Sequence, residues 1–200
     1  MHDWEGLSVP WREALLLMWE AYSAGTIPVG AVITDEAGEI VARGRNRIFD
    51  ARLDGELGRS RLAHAELNAM TALTSERRYE GYTLYTALEP CHLCLSAAVA
   101  VRLGRLCFAS SDAYGGAVGK LLASEDHRNH PLDVQGPLDG PAGRLPELLL
   151  VAHFLWRLPD KSVVRFYRET RPELVAAAAR VPPPDAGATL EDAFATLATY

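Results

Sequence analysis

Two short runs of residues in this sequence could do chemistry together. One is His64-Ala65-Glu66, the other Pro90-Cys91-His92-Leu93-Cys94. Cys91 and Cys94 lie three positions apart, so on a helix they share one face and can reach the same ion. A helix start also favours thiolates, through its partial positive charge and its free N–H groups. Two thiolates and the imidazole of His64 give three zinc ligands and leave a fourth position for water. Zinc brings the pKa of such a water down to about 7, which makes hydroxide available at neutral pH. Glu66 is too far round from His64 to ligate comfortably beside it. It is close enough to take a proton from the water and deliver it to a ring and to departing ammonia.

Each run alone says little. A lone Cys-x-x-Cys is more often half of a structural zinc site or a redox pair, and a His-x-Glu triplet arises by chance in many helices. Together, with His-Ala-Glu opening one helix and Glu-Pro-Cys-x-x-Cys opening the next after a short strand, they match the H-x-E…P-C-x-x-C signature of zinc deaminases. Two non-deaminase alternatives stay open. A structural zinc protein would normally bring a fourth protein ligand and has no evident use for Glu66. A thioredoxin-like redox module would not depend on His64 or Glu66.

These residues need elements to hold them. Pro10 to Ala24 has helical spacing, with Leu15, Met18, Trp19 and Tyr22 on one face, and stops at Gly25. Ile27–Thr34 and Glu39–Arg47 read as two strands joined by the turn Asp35-Glu36-Ala37-Gly38. In the second strand Arg43, Arg45 and Arg47 share one face, and Ile40, Ala42, Gly44 and Asn46 the other. If the apolar face is buried, Asn46 points inward and needs partners or a substrate. Residues Asp50 to Leu62 read as a loop, Ala63–Ser75 as a helix, Thr83–Ala87 as a strand, Cys91–Val101 as a helix and Arg105–Ser110 as a strand. Gly115, Gly116 and Gly119 mark a loop with little structure of its own. A strand near Asp133–Leu138 and a helix over Arg144–Arg157 complete the alternation, which implies an α/β layered domain. This gives a domain over 1–157 and an appended segment over 158–200. That segment carries helix interrupted at Pro172, a stop at Pro182-Pro183-Pro184, and a short final helix or loose end over Ala186–Tyr200.

The bulk numbers agree with an ordinary soluble globular chain: 200 residues, 48% hydrophobic and 23% charged. The N-terminus lacks a signal-peptide pattern, and the apolar stretch Leu145–Trp156 is too short to span a bilayer, so no membrane partner and a cytoplasmic setting are expected. Three cysteines, two of them in the Cys-x-x-Cys pair, favour metal or redox chemistry over disulfides there. The formal charge of −6 lowers the expectation of a long nucleic-acid partner, which usually meets a basic surface.

The chain resembles the cytidine/deoxycytidylate deaminase superfamily, in the branch of tRNA adenosine deaminases, guanine deaminases and related free-base deaminases. The resemblance runs over about residues 10 to 157. It is carried by Ile27-Pro28-Val29-Gly30-Ala31-Val32, Gly44-Arg45-Asn46-Arg47, Ala63-His64-Ala65-Glu66, Leu88-Glu89-Pro90-Cys91, Asp112 and the glycines near Gly115. It implies a three-layer α/β/α sandwich around a mixed five-stranded sheet, assembled as a homodimer. It also implies Asn46, with the backbone N–H groups of Ala65 and Cys91, as substrate contacts. The charge balance favours a free nucleobase or nucleoside over tRNA, because Arg157, Lys161, Arg165, Arg168 and Arg171 alternate with acids. Guanine, cytosine or a related aminopurine or triazine fits a closed pocket with an aromatic lid drawn from Phe154, Trp156, Phe166 or Tyr167. The alternative is a tRNA adenosine deaminase that makes inosine.

Overall fold

The first apolar stripe folds as α1 (Val9–Ser23), which buries Ala14, Leu15, Met18, Ala21 and Tyr22 along one side. The chain then turns at Gly25 into a hairpin. In this computed structural model, which describes residues 4–129, 131–184, 189, 190 and 193, that hairpin begins a mixed sheet. Strand β1 (Gly30–Thr34) is buried at every position, as a strand covered on both faces must be. Strand β2 (Ile40–Arg45) pairs with it antiparallel and alternates in burial. Strand β3 (Thr83–Leu88) lies antiparallel on the other side of β1. Strands β4 (Arg105–Ser110) and β5 (Asp133–Gln135) follow in parallel, giving the order β2-β1-β3-β4-β5.

Parallel neighbours need a crossover, and α3 (His92–Ala100) supplies it between β3 and β4. One apolar cluster joins α3 and α2 (Ala65–Met70) to the sheet through Ala69, Leu95, Ala98, Ile33, Leu84 and Leu106. The other joins α1 to α6 (Gly140–Arg157) through Leu15, Met18, Leu145 and Leu149. The result is the expected three-layer α/β sandwich around a mixed five-stranded sheet. Two glycines let helices rest on the hairpin. A Cβ on Gly30 would stand 2.2 Å from the Ala14 carbonyl of α1, and one on Gly44 would stand 2.2 Å from the Ala65 carbonyl of α2.

Several boundaries differ from the sequence reading. Helix α2 ends at Met70 rather than at Ser75. His64 and Cys91 are extended caps standing just before α2 and α3. The glycine-rich stretch contains two short helices, α4 (Val118–Leu122) and α5 (Glu125–Asn129). Strand β5 stops at Gln135 because Gly136 takes φ +141 and Pro137 has no N–H for the ladder. Helix α6 begins at Gly140 rather than Arg144. Arg47 is 6% exposed rather than on the open face with Arg43, because the strand ends at Arg45. The following loop wraps the Arg47 guanidinium with Asp50, Glu56 and the Ala51 carbonyl.

Beyond Arg157 the chain forms α7 (Ser162–Thr170) and α8, which starts at Pro172 and runs to Ala178. Val163, Val164, Tyr167, Leu174 and Ala177 are buried in the same cluster as α6. Glu147 of α6 accepts hydrogen bonds from Tyr167 Oη (3.1 Å) and Arg171 Nη1 (3.0 Å). The expected helix over Ala186–Tyr200 lies largely outside the described residues. Among the described residues no helix is long and apolar enough to cross a membrane.

Candidate active site

The helix starts that cap α2 and α3 bring His64, Cys91 and Cys94 to one point. His64 Nδ1 lies 3.7 Å from Cys91 Sγ and 3.4 Å from Cys94 Sγ, and the two sulfurs are 3.8 Å apart. A tetrahedral zinc with ordinary bond lengths would set its S···S and S···N edges at about 3.8 and 3.6 Å. The triangle fits the ion, and these three residues are positioned to hold it. The imidazole also hydrogen-bonds the Arg61 backbone, which fixes the ring so that Nδ1 faces the sulfurs.

The protonation pattern of the pair points the same way. The Cys91 thiol is drawn down to about 3, chiefly by its hydrogen bond with Cys94 and also by His64, against the opposing effect of burial. The Cys94 thiol is pushed up by that same bond, by burial and by the Glu66 carboxylate. Two sulfurs and a carboxylate in one dry corner cannot all ionise without a cation among them.

Glu66 stands in the first turn of α2, 4% exposed. Its Oε1 accepts from Thr86 Oγ1 at 3.3 Å, and Oε2 lies 3.4 Å from Cys94 Sγ. Burial raises its carboxyl above the usual range. Asn46, just past β2, is buried as the strand pattern anticipates. Its Oδ1 accepts from Thr26 Oγ1 (2.8 Å) and from the Ile48 N–H (3.1 Å). With the oxygen occupied, Nδ2 is the amide atom left for the cavity.

That cavity, about 430 Å³, has His64, Glu66, Cys91 and Asn46 at its polar end and Ile27, Val29, Leu88, Leu150 and Phe154 along its walls. Glu89, Asp112, Tyr114 and residues 161–163 complete it. Glu89 fixes one side of the mouth, accepting from the backbone N–H groups of Asp112 (3.3 Å) and Val118 (3.1 Å). Asp112 Oδ1 accepts from the N–H groups of Tyr114 and Gly115, and burial raises its carboxyl. Tyr114 Oη and Ser162 Oγ are 2.6 Å apart, and the Tyr114 ring packs edge-on to Phe166 at 5.5 Å. The β4–α4 loop and the start of α7 are thereby fastened across the mouth.

The residues singled out from sequence thus divide. His64, Glu66, Cys91, Cys94 and Asn46 converge. Ala65 is buried at the first position of α2 and is not among the lining residues, so only its backbone N–H bears on the site. Of the aromatic lid candidates, Phe154 lines the cavity and Phe166 backs Tyr114. Tyr167 is buried on Glu147, and Trp156 is exposed. His92 is exposed, and Cys107 is a buried strand residue. Sequence reasoning gave no role to Tyr114 or Ser162, which meet across 48 positions without any local signal.

The fold and this site define a zinc-binding α/β layered protein. The profile of the cytidine and deoxycytidylate deaminase zinc-binding region matches residues 8–110, and the chain belongs to that family. It is 41% identical over 130 residues to the tRNA(Ile)-lysidine synthase of Deinococcus deserti, covering 62% of this chain but 23% of that protein. The chain therefore spans less than a quarter of that relative. It is 36% identical over 139 residues to the tRNA-specific adenosine deaminase of Bacillus subtilis, covering 66% of this chain and 81% of the relative. A structure solved in work on A-to-I editing by tRNA wobble-position deaminases superposes with a TM-score of 0.54 at 30% identity, covering 64% of this chain and 96% of the other.

Proposed function

We propose that this chain hydrolyses the exocyclic amine from a nucleobase, with His64, Cys91 and Cys94 holding zinc and Glu66 carrying protons. When bound, zinc supplies a Lewis acid that activates a water toward a ring carbon. Glu66 would take one proton from the attacking water and give it to a ring nitrogen, then move the second, from the new hydroxyl, to the amine that leaves as ammonia. Its burial suits this task, because burial raises the carboxyl and so favours its taking up a proton. Asn46 Nδ2 donates to the ring or sugar, and the N–H groups of Ala65 and Cys91, at helix starts, help position the substrate. The observation that carries the reading is Glu66 Oε2 lying 3.4 Å from Cys94 Sγ inside the cavity. A purely structural zinc site has no use for a buried acid there.

For the substrate we favour a free nucleobase or nucleoside, guanine, cytosine or a related aminopurine or triazine. The Tyr114–Ser162 contact bridges the mouth, and the formal charge of −6 supports a small partner. A second reading, adenosine in tRNA converted to inosine, is favoured by relatives that carry that name. Assembly as a homodimer belongs to the same proposal.

The test is ammonia release by the zinc-loaded chain over bases, nucleosides and a tRNA anticodon stem-loop, beside Glu66→Gln. Turnover that falls by about 10²–10⁴ in the variant while zinc is retained is the expected result. A Glu66→Gln chain that stayed fully active would refute the proton-transfer role. Release from the stem-loop alone would establish the second reading.

A further inference from the structure

Beside the cavity mouth lies a second hollow of about 420 Å³, lined by Ile48, Phe49, Arg59, Ser60, Arg61, Leu158 and Lys161. Lys161 also lines the main cavity, so the two adjoin at that side chain. Three cations and no acid face this hollow, in a chain with 26 acidic residues against 20 basic ones. Arg43, Arg45, Arg47, Arg105, Arg128 and Arg171 all pair with carboxylates. Among the described residues Arg59, Arg61 and Lys161 form no such pair, and all three are exposed. Arg157 adds charge near this wall by stacking 4.5 Å above the Phe49 ring. Of the acids nearest in the chain, Asp50 is taken up by Arg45 and Arg47, and Asp160 lines a different hollow with Arg157.

The backbone adds a second, independent observation. Arg59 has φ +46, a conformation that glycine adopts without cost and arginine does not, and Gly58 stands next to it. The strained turn is held by the Arg59 N–H, which donates to the carbonyls of Arg47 and Asp50. This turn presents the Arg59 side chain to the hollow. The same loop reaches the metal site, because Arg61 bonds the His64 ring through its backbone. Unpaired guanidinium groups over an apolar, partly aromatic floor suit a phosphate ester with a sugar attached.

We infer that this hollow binds the phosphate of a nucleotide whose base enters the main cavity. The assignment of that phosphate to the substrate rests on the deaminase reading above and narrows its nucleoside to the phosphorylated form. The shared chemistry is a phosphate one sugar away from the base, supplied either by a nucleoside monophosphate or by a strand.

The experiment is equilibrium titration of the zinc-loaded chain in the Glu66→Gln background, where bound ligand is not consumed. The probes are adenosine, cytidine and guanosine, their 5′-monophosphates, and a single-stranded hexanucleotide of whichever base binds. The matched monophosphate is expected to bind at least tenfold tighter than its nucleoside at low salt, with the advantage shrinking as salt rises. In Arg59→Glu/Arg61→Glu the ratio of the two affinities is expected to fall at least tenfold, and Lys161→Met, which adds no new charge, is expected to lower it as well. Circular dichroism and zinc content report that each variant is folded. No phosphate advantage with any base, or an advantage that survives intact in both variants, overturns the subsite. A hexanucleotide that outcompetes the monophosphate, and loses that lead in the variants, assigns the phosphate to a strand. The two readings fail separately. A phosphate advantage without ammonia release from the wild-type chain removes the deaminase and leaves the subsite. A nucleoside turned over as well as its monophosphate does the reverse.

Discussion

Replacing Gly44 by alanine tests how closely the metal site depends on one backbone contact. The added methyl would sit 2.2 Å from the Ala65 carbonyl and 2.4 Å from the Ala69 nitrogen, both backbone atoms that cannot swing aside. Restoring ordinary contact requires α2 to lift from β2 by about 1 Å. Metal ligands tolerate displacements of only about 0.2 Å, and His64 and Glu66 travel with the first turn of α2. Overpacking of this kind costs about 1–3 kcal/mol of stability. Zinc affinity is expected to fall by about 10- to 100-fold, the loss typical when the support of a ligand is disturbed. Gly119→Ala is the matched control, since nothing lies within 4 Å of its added methyl. Thermal melting by circular dichroism gives the stability term, and competition with a chromogenic chelator gives the zinc term. If the Gly44 variant held zinc as tightly as the Gly119 variant, the claim that this contact seats the ligand helix would be wrong.

Two other perturbations probe separate parts of the structure. Burial holds the His153 imidazole down to about 4, and neither ring nitrogen has a partner among the described residues. The native state therefore excludes the proton, and the associated stability is complete above pH about 6.5 and drains away as pH falls toward 4, by about 3 kcal/mol at most. His153→Leu is expected to flatten the melting temperature between pH 7 and 4.5, and an acid limb as steep as wild type would count against this. Tyr114→Phe removes the hydroxyl that meets Ser162 and is expected to raise KM for a small substrate by about 2- to 10-fold with zinc affinity unchanged. An equal loss in kcat instead would mean that the tyrosine touches the chemistry.

The metal residues were legible because their constraint is local. A Pro-Cys-x-x-Cys run fixes both a helix start and the spacing of two sulfurs, and His-Ala-Glu does the same for the partner helix. Asn46 was readable from the alternation of Ile40, Ala42 and Gly44, all on the covered side of β2 apart from the half-buried strand start. The same alternation misplaced Arg47, because period-two logic lapses where the strand ends, and a loop then enclosed the guanidinium. Helix α4 was invisible for a related reason. Its start depends on Ala117 donating to the Pro90 carbonyl and Val118 donating to Glu89, contacts between distant stretches of chain. The mouth of the cavity was legible only in part: Phe154 and Phe166 stood among the aromatic lid candidates, but Tyr114 and Ser162 meet across 48 positions with no local signal.

The metal ligands come from helix starts on one side of the sheet, whereas the mouth is closed by the β4–α4 loop and a segment packed with the helices of the opposite layer. The two meet at Glu89 and the Pro90 carbonyl, which hold the β4–α4 loop beside Cys91. Tyr114 and Ser162 shape the entrance without belonging to the ligand triangle of His64, Cys91 and Cys94. A library randomised at Tyr114, Lys161 and Ser162 would therefore vary the entrance while His64, Cys91 and Cys94 stay in place.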